Sequence, residues 1–257
     1  MIPRLHAPAP IAPGDLLTLA PEEQHYLRQV LRAKLGDPVQ VFDGLGRRFA
    51  GLVNDLSKSQ LTITIERQLN TASATPLRIA LIQSISTADK MDWTVEKATE
   101  LGVVAIVPVL SQRSLVRLNS QRTQSKRDHW QRIALAACRQ SGNDYVPEIA
   151  EPIALEKWLG QAARAEPPAA AKQRIVLCLP RGENTARRLS RWPIATPSTA
   201  PMQIDVLVGP EAGLSEAEIE AALACGFVCA SLGPRVLRTE TAGLVAIALL
   251  QGQFGDL

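Results

Sequence analysis

The sequence predicts an α/β protein in which a small β-rich domain precedes a larger domain built on a mostly parallel sheet. The hydrophobic period changes near residue 70, from short alternating runs with tight turns to apolar strands that alternate with helical patterns. Between the two patterns lies NTASATP (70–76), whose small polar residues and closing proline are typical of a linker. We therefore predict domains over 1–70 and 77–257, joined by a linker at 71–76.

The N-terminal domain contains three runs with strand character. These are VQVFDG (39–44), RRFAGLV (47–53) and LTITIERQL (61–69). A tight turn is expected between the first two runs, where Asp43, Gly44 and Gly46 lie. One helix is predicted over 21–36, because Pro21 suits a first turn and Gly36 suits a helix end. The pattern is that of a small β-barrel.

In the C-terminal domain, strands and helices alternate. Strands are predicted at LRIALIQSI (77–85), VVAIVPVL (103–110), RIVLCLP (174–180), QIDVLVG (203–209) and FVCASLG (227–233), and helices at 88–102 and 120–141. Strands that are followed by turns and helical patterns form parallel sheets covered on both faces. We predict such a sheet here.

Composition excludes several classes of protein. The 257 residues are 46% hydrophobic and 21% charged, which is typical of a folded globular chain. The N-terminus lacks the apolar core of a secretion signal and no run is long enough to span a membrane, so we expect a cytoplasmic protein with no membrane partner. The three histidines are scattered, and Cys138, Cys178, Cys225 and Cys229 lack CxxC spacing, so we expect reduced thiols and no metal.

The charge distribution points to an anionic partner more clearly than the net charge of +3 does. Between Gln112 and Arg139 the chain carries seven basic residues against a single acid, Asp128. Such a stretch could neutralise phosphates, and each contact would make binding more sensitive to salt. A solvated helix face explains the same pattern, and the sequence does not decide between the two.

The segment GPEAGLS (209–215) follows a predicted strand directly. Gly209 and Gly213 allow a sharp turn and a close approach to a ligand, and Ser215 with Glu218 forms an S-x-x-E capping box for the next helix. Ligands of α/β proteins bind outside the carboxyl ends of strands, where this loop falls. An ordinary turn between strand and helix would explain this segment if it stood alone.

A second segment, LGPRVLRTETA (232–242), leads into the last apolar helix. The start of this helix carries several charged and polar residues, Arg235, Arg238, Thr239 and Glu240. Helix N-termini favour anions, and Thr239 could serve as the N-cap. The sequence lacks GxGxxG, GxxxxGK[ST], GxSxG and HExxH, so dinucleotide, nucleotide triphosphate, hydrolase and zinc-protease sites are disfavoured. The two segments together predict a different ligand site.

GPEAGLS and SLGPRVLRTETA resemble the C-terminal signature of the RsmE-like family, the 16S ribosomal RNA uracil-N3-methyltransferases of the SPOUT superfamily. HYLRQVLRAKLGD (25–37), DKMDWTVEKATELGV (89–103) and RQSGN (139–143) also match, so the resemblance covers nearly the whole chain. It implies a PUA-like β-barrel for RNA docking, an α/β domain with a deep trefoil knot, and a homodimer. The implied reaction is methylation by S-adenosyl-L-methionine, without a metal, of the small-subunit uridine conventionally numbered 1498.

The resemblance also implies roles for individual residues. Arg238 would stabilise charge or position the substrate, and Glu240 would act as a base or only orient the loop. Contacts to RNA are expected from His25, Arg28, Arg32, Lys90 and Arg113, although a solvated helix face explains the first three equally well. Contacts to the cofactor are expected from Leu179, Pro180, Gly209, Pro210, Glu211, Gly213, Ser231, Leu232, Gly233, Leu237, Arg238 and Thr239.

Two positions depart from the family pattern. Ala212 stands where a second glycine is usual, which tests whether that backbone needs a positive φ. Asn143 stands where an arginine is common. Two other functions stay open: a SPOUT ribose 2′-O-methyltransferase that acts on ribosomal or transfer RNA, and a non-catalytic RNA-binding factor for ribosome assembly.

Overall fold

The computed structural model describes residues 2–57, 61–70, 75–114, 120–164, 172–178, 186–193 and 201–257. Within them the chain forms two compact units. Unit 1 comprises Met1–Ala74 and Leu135–Val146, and unit 2 comprises Thr75–Ala134 and Pro147–Leu257. Residues 71–74 of the predicted linker lie outside the described ranges.

Unit 1 is built on a five-stranded sheet with the order β1-β3-β4-β5-β2. Its strands are β1 (Arg4–His6), β2 (Leu16–Thr18), β3 (Pro38–Phe42), β4 (Arg48–Asp55) and β5 (Thr62–Leu69). β1 pairs with β3 in parallel, and the other ladders are antiparallel. Alternate side chains such as Val41, Phe49 and Ile63 are buried in one apolar core, as the period-2 pattern predicts. The three strands predicted from sequence are confirmed.

The helix predicted over 21–36 is shorter than expected. Helix α1 (Pro21–His25) continues as a single π-helical turn over Tyr26–Val30 and then stops. The Leu31 amide donates to the Tyr26 carbonyl, five residues earlier, and Arg32 adopts a left-handed φ of 50°. Left-handed backbone ends a right-handed helix, so the prediction beyond Val30 is wrong.

Leu135–Val146 belongs to unit 1, which local sequence patterns do not predict. Arg139 lies 2.9 Å from the Glu23 carboxylate and 5.1 Å from the centre of the Tyr26 ring. Asp144 pairs with Arg4 at 2.8 Å and with Arg48 at 3.0 Å. Each contact joins residues about a hundred positions apart, so no short window of sequence contains it.

Burial makes these charges unusual. Glu23 is 2% exposed, and burial raises the pKa of its carboxyl while Arg139 opposes that rise. Burial, aided by the positive charge of Arg139, lowers the pKa of His6, while the nearby Asp43 acts in the opposite direction. We call His6, Glu23, Tyr26, Asp43 and Arg139 the Glu23 cluster.

Unit 2 contains one parallel sheet with the order β11-β13-β10-β12-β6-β7-β8, and β9 also pairs with β7. The strands are β6 (Leu77–Ser84), β7 (Ala105–Leu110), β8 (Glu148–Ile149), β9 (Ile153–Ala154), β10 (Lys172–Leu177), β11 (Arg187–Arg188), β12 (Met202–Val208) and β13 (Val228–Ser231). Every ladder between them is parallel. The prediction of a parallel sheet is confirmed.

Helices cover both faces of this sheet. They are α2 (Ala88–Glu100), α3 (Ser120–Ser141, of which unit 2 holds the part up to Ala134), α4 (Leu155–Arg164), α5 (Glu216–Ala224) and α6 (Thr239–Phe254). One apolar cluster includes Val95 of α2 and Ile247 of α6, and a second includes Leu159 of α4 and Ala222 of α5. The central strands are therefore apolar on both sides, which is why they read as continuous hydrophobic runs.

The cysteines differ in part from the expectation of reduced thiols. Cys178 and Cys229, with Cα atoms 5.8 Å apart on neighbouring chain segments, are joined in a disulfide. The prediction is wrong for this pair, because the parallel register of β10 and β13 brings together two residues that are 51 positions apart. Cys138 and Cys225 are free, and burial raises the pKa of Cys138 to about 12.

Two features are absent from the described residues, a membrane-spanning helix and a metal-binding cluster. Every helix within those ranges is too short or too polar to span a bilayer. No group of three or more His, Cys, Asp or Glu side chains in the same part of the chain is arranged to hold a metal ion.

Candidate functional site

Unit 2 contains a cleft of about 640 Å³ at the carboxyl ends of β10, β12 and β13. Parallel strands end at the same edge of a sheet, so the loops that follow them meet there. The described lining residues are Lys90, Arg113, Leu177, Cys178, Val208, Gly209, Pro210, Glu211, Gly213, Leu214, Glu216, Ile219, Cys229, Leu232, Gly233, Arg235, Val236, Leu237, Arg238, Thr239 and Ala242. Both segments singled out from sequence therefore form walls of one cleft.

The loop Gly209–Gly213, which we call the GPEAG loop, has a shape that requires glycine at two positions. A Cβ on Gly209 would lie 2.9 Å from the Leu214 nitrogen, and Gly213 has a φ of 72°. The Gly213 amide donates to the Pro210 carbonyl at 2.8 Å and closes the turn. Ala212 does not have a positive φ, so its departure from the family pattern strains nothing.

The capping box predicted after this loop is confirmed. The Glu218 amide donates to Ser215 Oγ at 3.2 Å, and the Ser215 amide donates to Glu218 Oε2 at 2.8 Å. The other oxygen of Glu218 accepts from the Gln112 amide at 2.7 Å. A single buried carboxylate thus starts α5 and also holds the loop that follows β7.

Arg113 reinforces the same connection. Its Nη1 donates to the carbonyl oxygens of Leu214 at 3.3 Å and Ala212 at 3.4 Å. Arg113 was predicted to contact RNA, and that role stays a prediction. In the structure it lines the cleft and supports the backbone of the GPEAG loop.

The start of α6 forms the opposite wall. Arg238, not Thr239, is the N-cap, so that part of the prediction is wrong. Thr239 is the first helical residue, and its hydroxyl is used elsewhere: it donates to the Gly209 carbonyl at 2.6 Å and accepts from Gln83 Nε2 at 2.9 Å. Arg238 keeps its side chain exposed in the cleft, while its carbonyl accepts from the Thr241 and Ala242 amides.

A lysine bridges the two walls. Lys90 Nζ lies 3.1 Å from Glu211 Oε1 on the GPEAG loop and 3.7 Å from Glu240 Oε2 on α6. That oxygen of Glu240 is buried and accepts no hydrogen bond from any described residue. Arg113, Arg235 and Arg238 are exposed around the same cleft and outnumber its exposed acids, Glu211 and Glu216, so the balance of charge at its mouth favours an anionic substrate.

The structure brings most predicted residues of the cofactor site together. Ser231 ends β13 but is not among the described lining residues, and Leu179 and Pro180 lie outside the described ranges. Glu240 is adjacent through Lys90, and Lys90 itself lines the cleft.

The other predicted RNA contacts lie in unit 1. His25 and Arg32 are exposed, whereas Arg28 donates to the Ser57 carbonyl. Asn143, the second departure, accepts from the Tyr145 amide at 2.9 Å and so shapes a turn.

Several lining residues were missed from sequence. They include Leu177, Cys178, Leu214, Ile219, Cys229 and Ala242. Most lie at strand ends or on the first turn of a helix, so the rule that ligands bind at strand ends could have found them. Their apolar character made them look like ordinary core residues.

Comparison with known proteins places this geometry in a family. A model described as the RNA methyltransferase domain matches residues 73–251, and one described as the RNA methyltransferase PUA domain matches 19–66. The chain belongs to this RNA methyltransferase family. The resemblance proposed from the two motifs is thereby confirmed.

Relatives match along nearly the full length. A protein named ribosomal RNA small subunit methyltransferase E from Buchnera aphidicola (Acyrthosiphon pisum) is 30% identical, and the match covers 99% of this chain and 95% of the relative. The protein of the same name from Bacillus subtilis is 29% identical over 95% of this chain and 92% of its own length.

Solved structures agree with the fold as well. Ribosomal RNA small subunit methyltransferase E from Neisseria gonorrhoeae, bound to S-adenosyl methionine, is 35% identical with a TM-score of 0.86. A putative methyltransferase from Legionella pneumophila, in complex with the cofactor SAM, is 31% identical with a TM-score of 0.87. Both matches cover the whole of each chain.

Proposed function

We propose that the chain transfers the methyl group of S-adenosyl-L-methionine to N3 of one uridine in 16S ribosomal RNA of the small subunit. The observation that supports this most strongly is that the GPEAG loop and the start of α6 line the same cleft. Two full-length structural relatives, at 31% and 35% identity, were solved with that cofactor. The uridine conventionally numbered 1498 is the target we propose.

The residues of the cleft fit the cofactor chemically. Its volume falls within the range of small-molecule sites, and apolar side chains such as Leu177, Ile219 and Leu237 offer a surface for an adenine ring. The bare backbone at Gly209 and Gly213 leaves room for close approach. Leu179 and Pro180, which we also predict to contact the cofactor, lie outside the described residues. When bound, the cofactor supplies a methyl group on a sulfonium, which an incoming nucleophile can displace.

The chain's own residues would prepare the nucleophile. Uracil N3 must lose a proton before or during attack, and the negative charge then spreads over its two carbonyl oxygens. The exposed guanidinium of Arg238 would stabilise that charge. The buried Glu240 Oε2, which accepts no hydrogen bond from the described residues, would take the proton or orient the loop, with Lys90 beside it.

Docking of the RNA would use unit 1. His25 and Arg32 are exposed next to the π-helical turn, and Arg32 is held in a left-handed conformation of the kind found at functional sites. We keep Arg28 in this set, although its guanidinium already holds the Ser57 carbonyl. The domain division at 71–76, with a PUA-like barrel over 1–70, belongs to this proposal.

We further propose a homodimer, a deep trefoil knot and a cytoplasmic location, all as the family resemblance implies. The dimer has local support on α6, where Val245, Ala248, Leu249 and Gly252 share one face and none is fully buried. Trp93 of α2, a helix that packs against α6, is 44% exposed. A second copy would remove this apolar surface from water.

The test is methyl transfer from isotope-labelled cofactor to small-subunit RNA, followed by mass spectrometry of the nucleosides. We expect 3-methyluridine. A 2′-O-methylated ribose would show the alternative SPOUT reaction, and a folded protein that neither binds the cofactor nor transfers methyl would be a non-catalytic assembly factor.

Arg238→Ala should lower the turnover rate about 100- to 1000-fold, the usual effect of removing one charge-stabilising donor. Cofactor affinity, measured by calorimetry, should change less than turnover does. Lys97→Ala, on the surface of α2 away from the cleft, is the control and should keep normal turnover. Normal turnover by Arg238→Ala would remove this residue from the mechanism.

A further inference from the structure

Three polar groups from three separate elements meet below the cleft. Gln83, at the end of β6, is fully buried, and its Nε2 donates to Thr239 Oγ1 at 2.9 Å. The Thr239 hydroxyl donates in turn to the Gly209 carbonyl at 2.6 Å. A hydroxyl carries one proton, so the order of donation runs from Gln83 through Thr239 to Gly209.

We propose that Gln83 and Thr239 are positioning residues for methyl transfer. Through two consecutive hydrogen bonds they hold the GPEAG loop against the start of α6, and thereby fix the cofactor wall relative to Arg238. Neither residue needs to touch the reacting atoms. This inference rests on the proposed function for its catalytic part, whereas the holding of the loop can be measured in the cofactor-free protein.

The cost of burying Gln83 supports a role beyond packing. Its Oε1 is buried and accepts no hydrogen bond within the described part of the chain. Folding therefore removes this amide oxygen from water without replacing its hydrogen bonds, which lowers the stability. A leucine or methionine would avoid that loss. An amide is explained at this position if its two N–H donors are needed. Both are used, because Gln83 Nε2 donates to Thr239 Oγ1 and also to the Ser84 carbonyl at 3.1 Å.

The neighbouring helix is shaped to admit this amide. A Cβ on Gly243 of α6 would lie 3.1 Å from Gln83 Oε1 and 3.4 Å from Leu81 Cδ1. A glycine one turn after Thr239 therefore lets α6 lie close over β6 while Gln83 reaches the hydroxyl. Gln83 and Thr239 are buried, so these hydrogen bonds are shielded from water and are stronger than they would be at the surface.

The position of the pair explains why a small displacement would matter. Thr239 follows Arg238 directly in sequence, and Gly209 is the first residue of the GPEAG loop. If the hydroxyl is lost, the two walls are free to shift against each other. A misplacement of about 1 Å between reacting groups can cost about 100-fold in rate.

The decisive pair of variants is Thr239→Val and Thr239→Ser. Valine keeps the shape and removes both hydrogen bonds, and serine keeps the hydroxyl. We expect Thr239→Val to weaken cofactor binding about tenfold in calorimetry and to lower kcat at saturating cofactor by a further factor of about ten. Thr239→Ser should stay within about twofold of the parent on both measures. Gln83→Met should fall between them, since Thr239 can still reach Gly209.

Thr99→Val is the matched control. Thr99 is buried in the same unit, and its hydroxyl donates to the Val95 carbonyl at 2.8 Å on α2, but it does not line the cleft. Its loss should lower the stability of the unit while leaving kcat and cofactor binding unchanged. Equal losses of activity in Thr99→Val and Thr239→Val would mean a general structural effect and would overturn the proposal.

Hydrogen exchange separates this inference from the proposed function. In the cofactor-free protein, Thr239→Val should speed exchange of the Gly213 amide, which donates to the Pro210 carbonyl, by about tenfold, and Thr239→Ser should not. If the parent protein transfers no methyl, the proposed function fails while this measurement still shows whether Thr239 holds the loop. Parent-like exchange and cofactor affinity in Thr239→Val would refute the positioning role.

Discussion

The cleft of unit 2 and the Glu23 cluster of unit 1 hold chain segments together by different means. In the cleft, glycines and the Thr239 hydroxyl fix the shape of the GPEAG loop, and the shortest contact is the one from Thr239 to the Gly209 carbonyl. The two cations that touch the loop, Lys90 and Arg113, are not buried. In unit 1, Leu135–Val146 is held by largely buried ion pairs, and Glu23, the partner of Arg139, is the most enclosed of their carboxylates. One region depends on shape and the other on charge.

The difference predicts different responses to mutation. Removing one partner of a buried ion pair strongly destabilises the folded unit, because the remaining buried charge is left without compensation. A loop fixed by glycine does not tolerate an added methyl group, because the packed backbone leaves no room for it. The cofactor loop needs a fixed shape, and its closest contacts, at Gly209 and Thr239, involve no titratable group.

Arg139→Ala should have the largest effect on stability. It leaves Glu23, only 2% exposed, without its partner, and we expect unit 1 to lose about 3–5 kcal/mol of unfolding free energy. Both tyrosines of the chain, Tyr26 and Tyr145, belong to unit 1. Urea unfolding followed by fluorine NMR of fluorotyrosine-labelled protein therefore reports on this unit alone.

The double variant Glu23→Leu, Arg139→Met sharpens the comparison. It removes both charges and keeps apolar volume, so it should recover most of the stability that Arg139→Ala loses. If the single variant matches the parent, or the double variant is as unstable as the single one, charge pairing is not what holds the segment.

Gly209→Ala tests the cleft. The new Cβ would lie 2.9 Å from the Leu214 nitrogen and 3.0 Å from Leu214 Cγ, so the backbone of the loop must shift. Overpacking of this kind costs about 1–3 kcal/mol, and we expect cofactor affinity to fall about 10- to 100-fold in calorimetry.

Gly160→Ala provides the matched control. It adds the same methyl group on α4, where a Cβ would meet nothing within 4 Å, and it should leave cofactor affinity unchanged. Parent-like affinity in Gly209→Ala would show that the loop is not fixed by close packing.

The sequence predicts the elements that lie within one window and misses the contacts that join distant ones. The capping box of Ser215 and Glu218 was predictable because its partners are three residues apart. The second role of Glu218, which accepts from the Gln112 amide, was not, because 106 positions separate the two. The parallel sheet was predicted from its apolar runs, but its strand order was not.

Thr239 shows how tertiary contacts change a local prediction. Its position before an apolar helix suits an N-cap, yet the buried Gln83 amide and the Gly209 carbonyl take its hydroxyl, and the cap moves to Arg238. The same holds for Arg139, which local charge placed in a phosphate-binding stretch. Its carboxylate partner, Glu23, lies 116 positions away.

The smallest effect we predict is a dependence of the stability of unit 1 on pH, which the stability of unit 2 should lack. Burial first, and then Arg139, lowers the pKa of His6 below 6.5, so the folded state binds fewer protons than the unfolded state in the window between the lowered pKa and 6.5. The contribution of His6 to stability is therefore present above pH 6.5 and is lost as the pH falls through that window. The raised pKa of Glu23 acts in the opposite sense, because its contribution is lost as the pH rises.

Two variants separate the contributions of His6 and Glu23 to this pH dependence. In the fluorotyrosine measurement between pH 7.5 and 4.5, a range that reaches the ordinary pKa of a glutamic acid, His6→Gln should remove the part of the stability that is lost on acidification. Glu23→Gln should remove the opposing part and make the loss on acidification steeper. All four tryptophans lie in unit 2, so their fluorescence follows that unit in the same samples. An equal pH dependence of both units would contradict the contrast between a cluster built on charge and a cleft built on shape.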